Sequence, residues 1–170
     1  MENLRNLFGR AERAETLVDI NEVSIAALTR LDTELKERKI TIRSDLDANL
    51  PAIVGHKGQL EEVFVNLIQN AIDAMATLEH GPRILKVKTQ RNGGDAVTAE
   101  IEDTGPGIKD QNSADIFDAF FTTKSHGMGL GLAICRMIVE RHGGQLSASS
   151  ARPHGAIFQV SLPQRGANLH

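Results

Sequence analysis

The segment 59–78, QLEEVFVNLIQNAIDAMATL, constrains the fold of this chain more than any other. Leu60, Val63, Phe64, Leu67, Ile68 and Ala71 recur every three or four residues as one apolar stripe, which predicts a long helix with one buried side. On the opposite side Glu62, Asn66, Asn70 and Asp73 follow at intervals of four, four and three, so they share a face. Polar residues on the outer face of an amphipathic helix are usually only solvated, and that reading stands beside a functional one. Asparagine is a poor helix former, so two on one face weigh against simple solvation. Their amide oxygens are hard, neutral ligands suited to a magnesium ion that already carries phosphate oxygens and some water.

Shorter signals flank this helix. Residues 16–20 read as a short strand, 23–39 as a helix and 40–46 as an alternating strand ended by Asn49, Leu50 and Pro51. Gly81 and Pro82 stop the long helix, and strands at 83–91 and 96–102 follow, joined by a tight turn at Asn92, Gly93 and Gly94. A helix over 130–142 ends at Gly143 and Gly144, an expected C-terminal cap, before strands at 145–150 and 156–162. Helices interleaved with strand pairs predict an α/β two-layer sandwich, a mixed sheet covered on one face by helices. With 170 residues and 41% apolar content the chain suits one core. The expected division is an appended helix over 1–15, a domain over 16–163 and a polar tail over 164–170. Leu4, Leu7, Phe8, Ala11 and Ala14 give the first of these a one-sided stripe that suits either its own core or an inter-subunit bundle.

Two glycine-rich stretches carry the remaining chemical signal. In EDTGPGI, Asp103, Gly105 and Gly107 follow directly on a predicted strand. The pattern suits a plain tight turn; it also suits a buried carboxylate accepting a hydrogen bond from the exocyclic amine of adenine, with glycines letting the ring lie against backbone. Guanine presents a carbonyl at that place and would be repelled. In GMGLGL, residues 127–132, glycines open a helix and expose its amide groups and positive dipole end, a ready phosphate site; a lone GxGxG leaves the cofactor open. Between the two lies IFDAFFTTKSHG. Phe117, Phe120 and Phe121 suit either ordinary core or the hinge of a mobile lid, with Lys124 either exposed or reaching a phosphate.

The 19 Lys and Arg against 22 Asp and Glu give a net charge of -3 with no basic face, so nucleic acid is not an expected partner. Cys135 stands alone, which excludes an internal disulfide and fits a reducing, cytoplasmic setting. No apolar run nears the roughly 18–20 residues that span a bilayer, so any membrane anchor is expected outside this chain.

In this order and spacing, the motifs resemble the catalytic and ATP-binding domain of two-component sensor histidine kinases, within the gyrase, heat-shock chaperone and mismatch-repair ATPase superfamily. NLIQNAIDAM is similar to the family's asparagine box, DTGPGI to its first glycine box, FDAFFTTK to its phenylalanine box and GMGLGLAICRMIVERHGG to its second glycine box. The resemblance implies a Bergerat-type ATP-binding fold, with ATP and Mg2+ as cofactors. It implies that Asn70 binds magnesium, Asn66 supports the phosphate region and Asp103 recognises adenine. Asp73, Gly105, Gly107, Ile108, Phe120, Thr123, Lys124, Gly127, Met128, Gly129, Leu130 and Gly131 would complete the nucleotide site, with Asn66 and Lys124 assisting catalysis.

The implied partners are the protein's own dimerisation and phosphoacceptor domain, of which residues 1–15 resemble the last turns, and the receiver domain of a response regulator. A homodimer is implied for the whole protein. None of His56, His80, His126, His142, His154 or His170 stands in the family's phosphoacceptor context, so this chain is expected to be a fragment. His56 stands where the family often has aspartate, which predicts a weaker start to the long helix. The expected mechanism is in-line attack of a histidine on the γ-phosphate, with magnesium and Lys124 neutralising charge. Two alternatives remain: a gyrase- or chaperone-like ATP-hydrolysing switch, and a module that only binds nucleotide. The first needs a general base where Asn66 stands; Glu62, one turn earlier, is the nearest substitute.

Overall fold

A computed structural model describes residues 15–93, 96–108 and 131–164. In chain order the elements are β1 (Thr16–Val18), α1 (Ile20–Arg30), α2 (Asp32–Glu37), β2 (Thr41–Leu46), β3 (Ile53–Gly55) and α3 (Lys57–Ala76). They continue with β4 (Ile84–Asn92), β5 (Ala96–Glu102), α4 (Gly131–Arg141), β6 (Gln145–Ser150) and β7 (Ala156–Pro163). Among the described residues the main sheet runs β2-β4-β5-β7-β6, with β2 and β4 parallel and the other neighbours antiparallel. β1 and β3 form a separate antiparallel pair.

Side-chain alternation decides which face the helices cover. Leu85, Val87 and Thr89 of β4, and Ala156, Phe158, Val160 and Leu162 of β7, point inward, whereas Lys86 and Lys88 point out. Against the inward face lies α3, which buries Leu60, Val63, Phe64, Leu67, Ile68, Ile72 and Met75 completely. Each large side chain removed from water contributes roughly 1.5–3 kcal/mol. α3 is flanked by α1 and α4, so the helical layer is centred on it. The two-layer α/β arrangement expected from the sequence is therefore present.

Four local features differ from expectation. The first helix begins at Ile20, because the Asp19 carboxylate accepts the Asn21 N–H at 2.9 Å and caps it. The single helix expected over 23–39 is two, parted at Leu31, whose φ of −104° and ψ of 10° leave the helical range without any glycine or proline to signal it. Strand β3 was not anticipated at all. β2, expected to alternate, is an edge strand exposed along most of its length, and Arg43 and Asp45 guard that edge against pairing with another chain.

The start of α3 is capped from a distance. His56, its N-cap, makes no side-chain capping bond, as the missing aspartate led us to expect. Its backbone N–H instead donates to His142 Nε2 at 3.0 Å, while His142 Nδ1 donates to the Ile138 carbonyl at 2.8 Å. Both bonds together require a neutral imidazole protonated on Nδ1. The ring occupies space left by Gly55, where an added Cβ would stand 2.7 Å from His142 Cδ2. Burial holds the His142 pKa below its ordinary 6.5; the Ile138 carbonyl and Glu15 oppose this, and His56 and Arg141 reinforce it.

A histidine kept neutral by folding contributes stability above its ordinary pKa and loses it as pH falls through about 6.5 toward the lower folded value. The melting-temperature gap between wild type and His142→Ala is accordingly expected to be wide at pH 7.5 and to narrow by pH 5.5. A gap independent of pH would show that the ring acts by packing alone.

Candidate functional site

The loop at 103–108, expected from the sequence to hold the base and hence termed the base loop, leaves β5 where β7 runs beside it. Asp103 is only 2% exposed. Its Oδ1 accepts the Gly105 N–H at 2.7 Å and the Ala156 N–H at 3.3 Å, and its own N–H donates to the Ala156 carbonyl at 3.0 Å. Among the described residues no donor reaches Oδ2, so the carboxylate is anchored by one oxygen and offers the other. Burial pushes its pKa up to about 6; the Gly105 and Ala156 amides pull against that, Glu102 adds to it and His154 opposes it. A buried carboxyl with a raised pKa and a spare acceptor costs stability, which is characteristic of a ligand site.

The glycines of this loop are forced by their neighbours. A Cβ on Gly105 would lie 3.0 Å from both Ala74 Cβ and Asp103 Oδ1, so the loop packs directly on α3. Gly107, at φ 95°, would put a Cβ 3.0 Å from the Gly155 carbonyl oxygen. Ile108 is half-buried against the core, with its carbonyl bonded by Ser150 Oγ at 3.0 Å.

On α3, the four polar residues divide. Asn66 Nδ2 donates to the Glu62 carbonyl at 2.9 Å, and its Oδ1 lies 3.3 Å from where a Cβ on Gly131 would stand, so Asn66 and the amino end of α4 meet. Asn70 is half-buried, and among the described residues no group hydrogen-bonds its amide. Asp73 instead accepts from Gln69 Nε2 at 3.1 Å, and the same amide nitrogen donates to Glu34 of α2 at 3.0 Å. Glu62 turns toward α1, where Arg30 holds Glu62 at 3.1 Å and Glu61 at 3.2 Å. Phe120, Thr123, Lys124, Gly127, Met128, Gly129 and Leu130 lie outside the described residues.

Asp103, Gly105, Gly107, Ile108, Asn66 and Gly131 are thus arrayed along α3 and its two flanks: the base loop against Ala74, the amino end of α4 against Asn66. Cys135 fastens α4 to α3, its thiol buried against the Val63 carbonyl at 3.7 Å and its pKa pushed up to about 12 by burial, which leaves it unreactive.

Sequence reasoning overlooked several residues here. Thr104 Oγ1 donates to the Pro82 carbonyl at 2.8 Å and accepts the Ile84 N–H at 3.1 Å, tying the loop to the exit of α3. Gly155, at φ 118°, packs so closely that a Cβ would overlap the Asp103 carbonyl oxygen. His154 Nδ1 bonds the Gly105 carbonyl at 3.0 Å. The motif grammar of the base loop gave no sign of these, because two of the four contacts come from a turn about 50 residues downstream and the other two from the segment that leads into β4, about 20 residues upstream.

Residues 55–166, which contain both α3 and the base loop, match the family described as histidine kinase-, DNA gyrase B-, and HSP90-like ATPase. The chain belongs to this family. The ATPase domain is 42% identical over 155 residues to the C4-dicarboxylate transport sensor protein DctS of Rhodobacter capsulatus, covering 88% of this chain and 23% of that protein. It is 33% identical over 165 residues to the sensor protein FixL of Bradyrhizobium diazoefficiens, covering 97% of this chain and 32% of that protein. The chain therefore spans a quarter to a third of the length of these relatives.

Among solved structures, the nucleotide-free catalytic domain of histidine kinase ThkA superposes with a TM-score of 0.78 at 27% identity, covering 89% of this chain and 98% of that one. Membership of the ATPase family implies ATP binding. Among the described residues no helix is long and apolar enough to cross a membrane.

Proposed function

We propose that this domain binds magnesium-ATP and presents the γ-phosphate to a histidine on a separate helical dimerisation domain, for onward transfer to the receiver domain of a response regulator. The observation that carries this reading is Asp103, buried, fixed through Oδ1 and open at Oδ2, at the end of a loop packed on the same helix as Asn66 and Asn70. Asp103 would accept from the adenine amine, with Gly105, Gly107 and Ile108 shaping the base pocket. Asn66 and residues 127–131 would border the phosphates, and Lys124, Thr123 and Phe120 would close over them.

Among the described residues no cluster of three His, Cys, Asp or Glu side chains could hold a metal unaided. The half-buried, unbonded amide of Asn70 suits a magnesium ion that the nucleotide largely ligates itself. Asp73, tied to Gln69, would act on this site through α3 packing. Bound magnesium would neutralise phosphate charge. The domain itself holds the nucleotide in line for an imidazole nitrogen, which bonds to phosphorus as the bond to the ADP oxygen breaks.

The names of the sensor relatives support the signalling context, and a solved complex of histidine kinase ThkA with response regulator protein TrrA supports the partner class. A homodimeric parent protein and a cytoplasmic site for this domain accompany the proposal.

Titration with ATP and GTP, with and without magnesium, tests it. Selective ATP binding is expected, with Asn70→Ala weakening ATP roughly tenfold in magnesium and leaving magnesium-free binding unchanged. Phosphate transfer to an added phosphoacceptor domain is the second expected result. Failure to bind any adenine nucleotide would sink the proposal.

The hydrolytic-switch alternative has less support, since Arg30 occupies the Glu62 carboxylate. Glu62→Gln is expected to leave slow ATP hydrolysis within about twofold of wild type; a drop of 100-fold would restore Glu62 as a general base.

A further inference from the structure

We propose that the turn between β6 and β7 is a positioning frame for the base loop, in which His154 and Ser150 hold two of its carbonyls and so set where Asp103 meets a purine. The inference rests on the nucleotide-site reading above and adds two positioning residues to it.

The base loop has backbone groups that neither helix nor sheet satisfies, and the downstream turn supplies partners for them. His154 Nδ1 lies 3.0 Å from the Gly105 carbonyl oxygen, so that nitrogen carries the proton and donates. Ser150 Oγ donates to the Ile108 carbonyl at 3.0 Å. Between these two posts, Gly107 adopts φ 95° and faces the Gly155 carbonyl. The turn is itself closed by the Ala151 N–H donating to the Gly155 carbonyl at 2.9 Å, and joined to Asp103 through Ala156 in both directions.

The consequence for Asp103 follows from connectivity. Gly105 bonds Asp103 Oδ1 through its N–H and His154 through its carbonyl, so the residue that orients the carboxylate is held from the far side by the imidazole. Freeing the Gly105 carbonyl lets the loop turn about its glycines, and Oδ2 then loses its fixed direction. α3 closes the other side of the loop at Ala74, so the turn is the face on which this orientation can be adjusted.

The test compares ATP with purine riboside 5′-triphosphate, which lacks the 6-amino group, on the wild-type chain and on His154→Ala, Ser150→Ala and His154→Asn. Wild type is expected to prefer ATP. Each alanine variant should weaken ATP by about 3- to 10-fold, the effect of losing one such bond, and bind the analogue almost unchanged, so the preference shrinks. Asparagine places an amide donor near the position of imidazole Nδ1, and His154→Asn should restore the preference.

Unchanged ATP affinity and preference in His154→Ala would overturn the proposal. So would equal weakening of both nucleotides with no rescue by asparagine, which would mark a merely structural contact. If the wild type itself does not discriminate between the nucleotides, the base assignment to Asp103 fails and the frame falls with it; that failure is visible before any variant is made.

Discussion

Asp103→Asn is expected to weaken ATP binding by at least about 100-fold and, in the same preparation, to raise the melting temperature of the nucleotide-free chain. The binding loss follows from donor and acceptor chemistry. Oδ1 receives two backbone N–H groups, so in the variant the amide oxygen stays there and the NH2 group takes the place of Oδ2. A donor then faces the adenine amine, itself a donor.

The stability gain follows from the pKa. With a folded value of about 6 against an ordinary 3.8, the folded chain binds the Asp103 proton more tightly than the unfolded chain does. That stability is fully present below the ordinary value and is lost as pH rises through about 6, so at pH 7 the ionised carboxylate costs on the order of 2–3 kcal/mol. A neutral amide avoids most of this cost, less the weaker bonds it accepts, which leaves a rise of a few degrees. Calorimetry with nucleotide titration checks both halves. ATP affinity in the wild type should also fall as pH drops through about 6, and Asp103→Asn should abolish that dependence. A variant that lost both ATP and stability would show that Asp103 holds the fold together and is not a site poised for ligand.

The features legible in the sequence were those whose cause is local. α3 could be read because its apolar residues repeat with the helical period over 20 residues, and the cap at Gly143 and Gly144 because glycine there has a backbone reason. The loop at 103–108 was legible as a turn because an acid and two glycines follow a strand directly.

What escaped depends on distance along the chain. β3 has three residues and exists because it pairs with β1. The parting at Leu31 lets Leu28, Leu31 and Leu35 all pack on the core, a tertiary demand with no composition mark. Glu62, Asn66, Asn70 and Asp73 share a helical face, yet three of them have different partners: Arg30 pairs with Glu62, the Glu62 carbonyl takes the Asn66 amide, and Gln69 donates to Asp73. His56 and His142 are 86 positions apart, and ARPHG at 151–155 reads as an ordinary polar turn until it is seen against Gly105 and Gly107.

Two substitutions that are identical on paper separate these kinds of information. Gly58→Ala, in the first turn of α3 with nothing within 4 Å of the new Cβ, is expected to stabilise the chain by about 0.5–1 kcal/mol, because alanine loses less backbone freedom in a helix. Gly155→Ala adds the same methyl where φ is 118° and the Asp103 carbonyl oxygen already stands. An L-residue is strained there, and the only relief is to move the turn away from Asp103 or Asp103 away from β7.

The expected cost of Gly155→Ala is roughly 3 kcal/mol or more, among the larger single-residue effects. Because Ala156 supplies one of the two donors to Oδ1, ATP affinity should fall with stability even at temperatures where the variant remains folded. Thermal unfolding and ATP titration of both variants below their transitions check the pair. Equal effects would mean that the β6–β7 turn is free to yield, and that Asp103 owes its orientation to β5 alone.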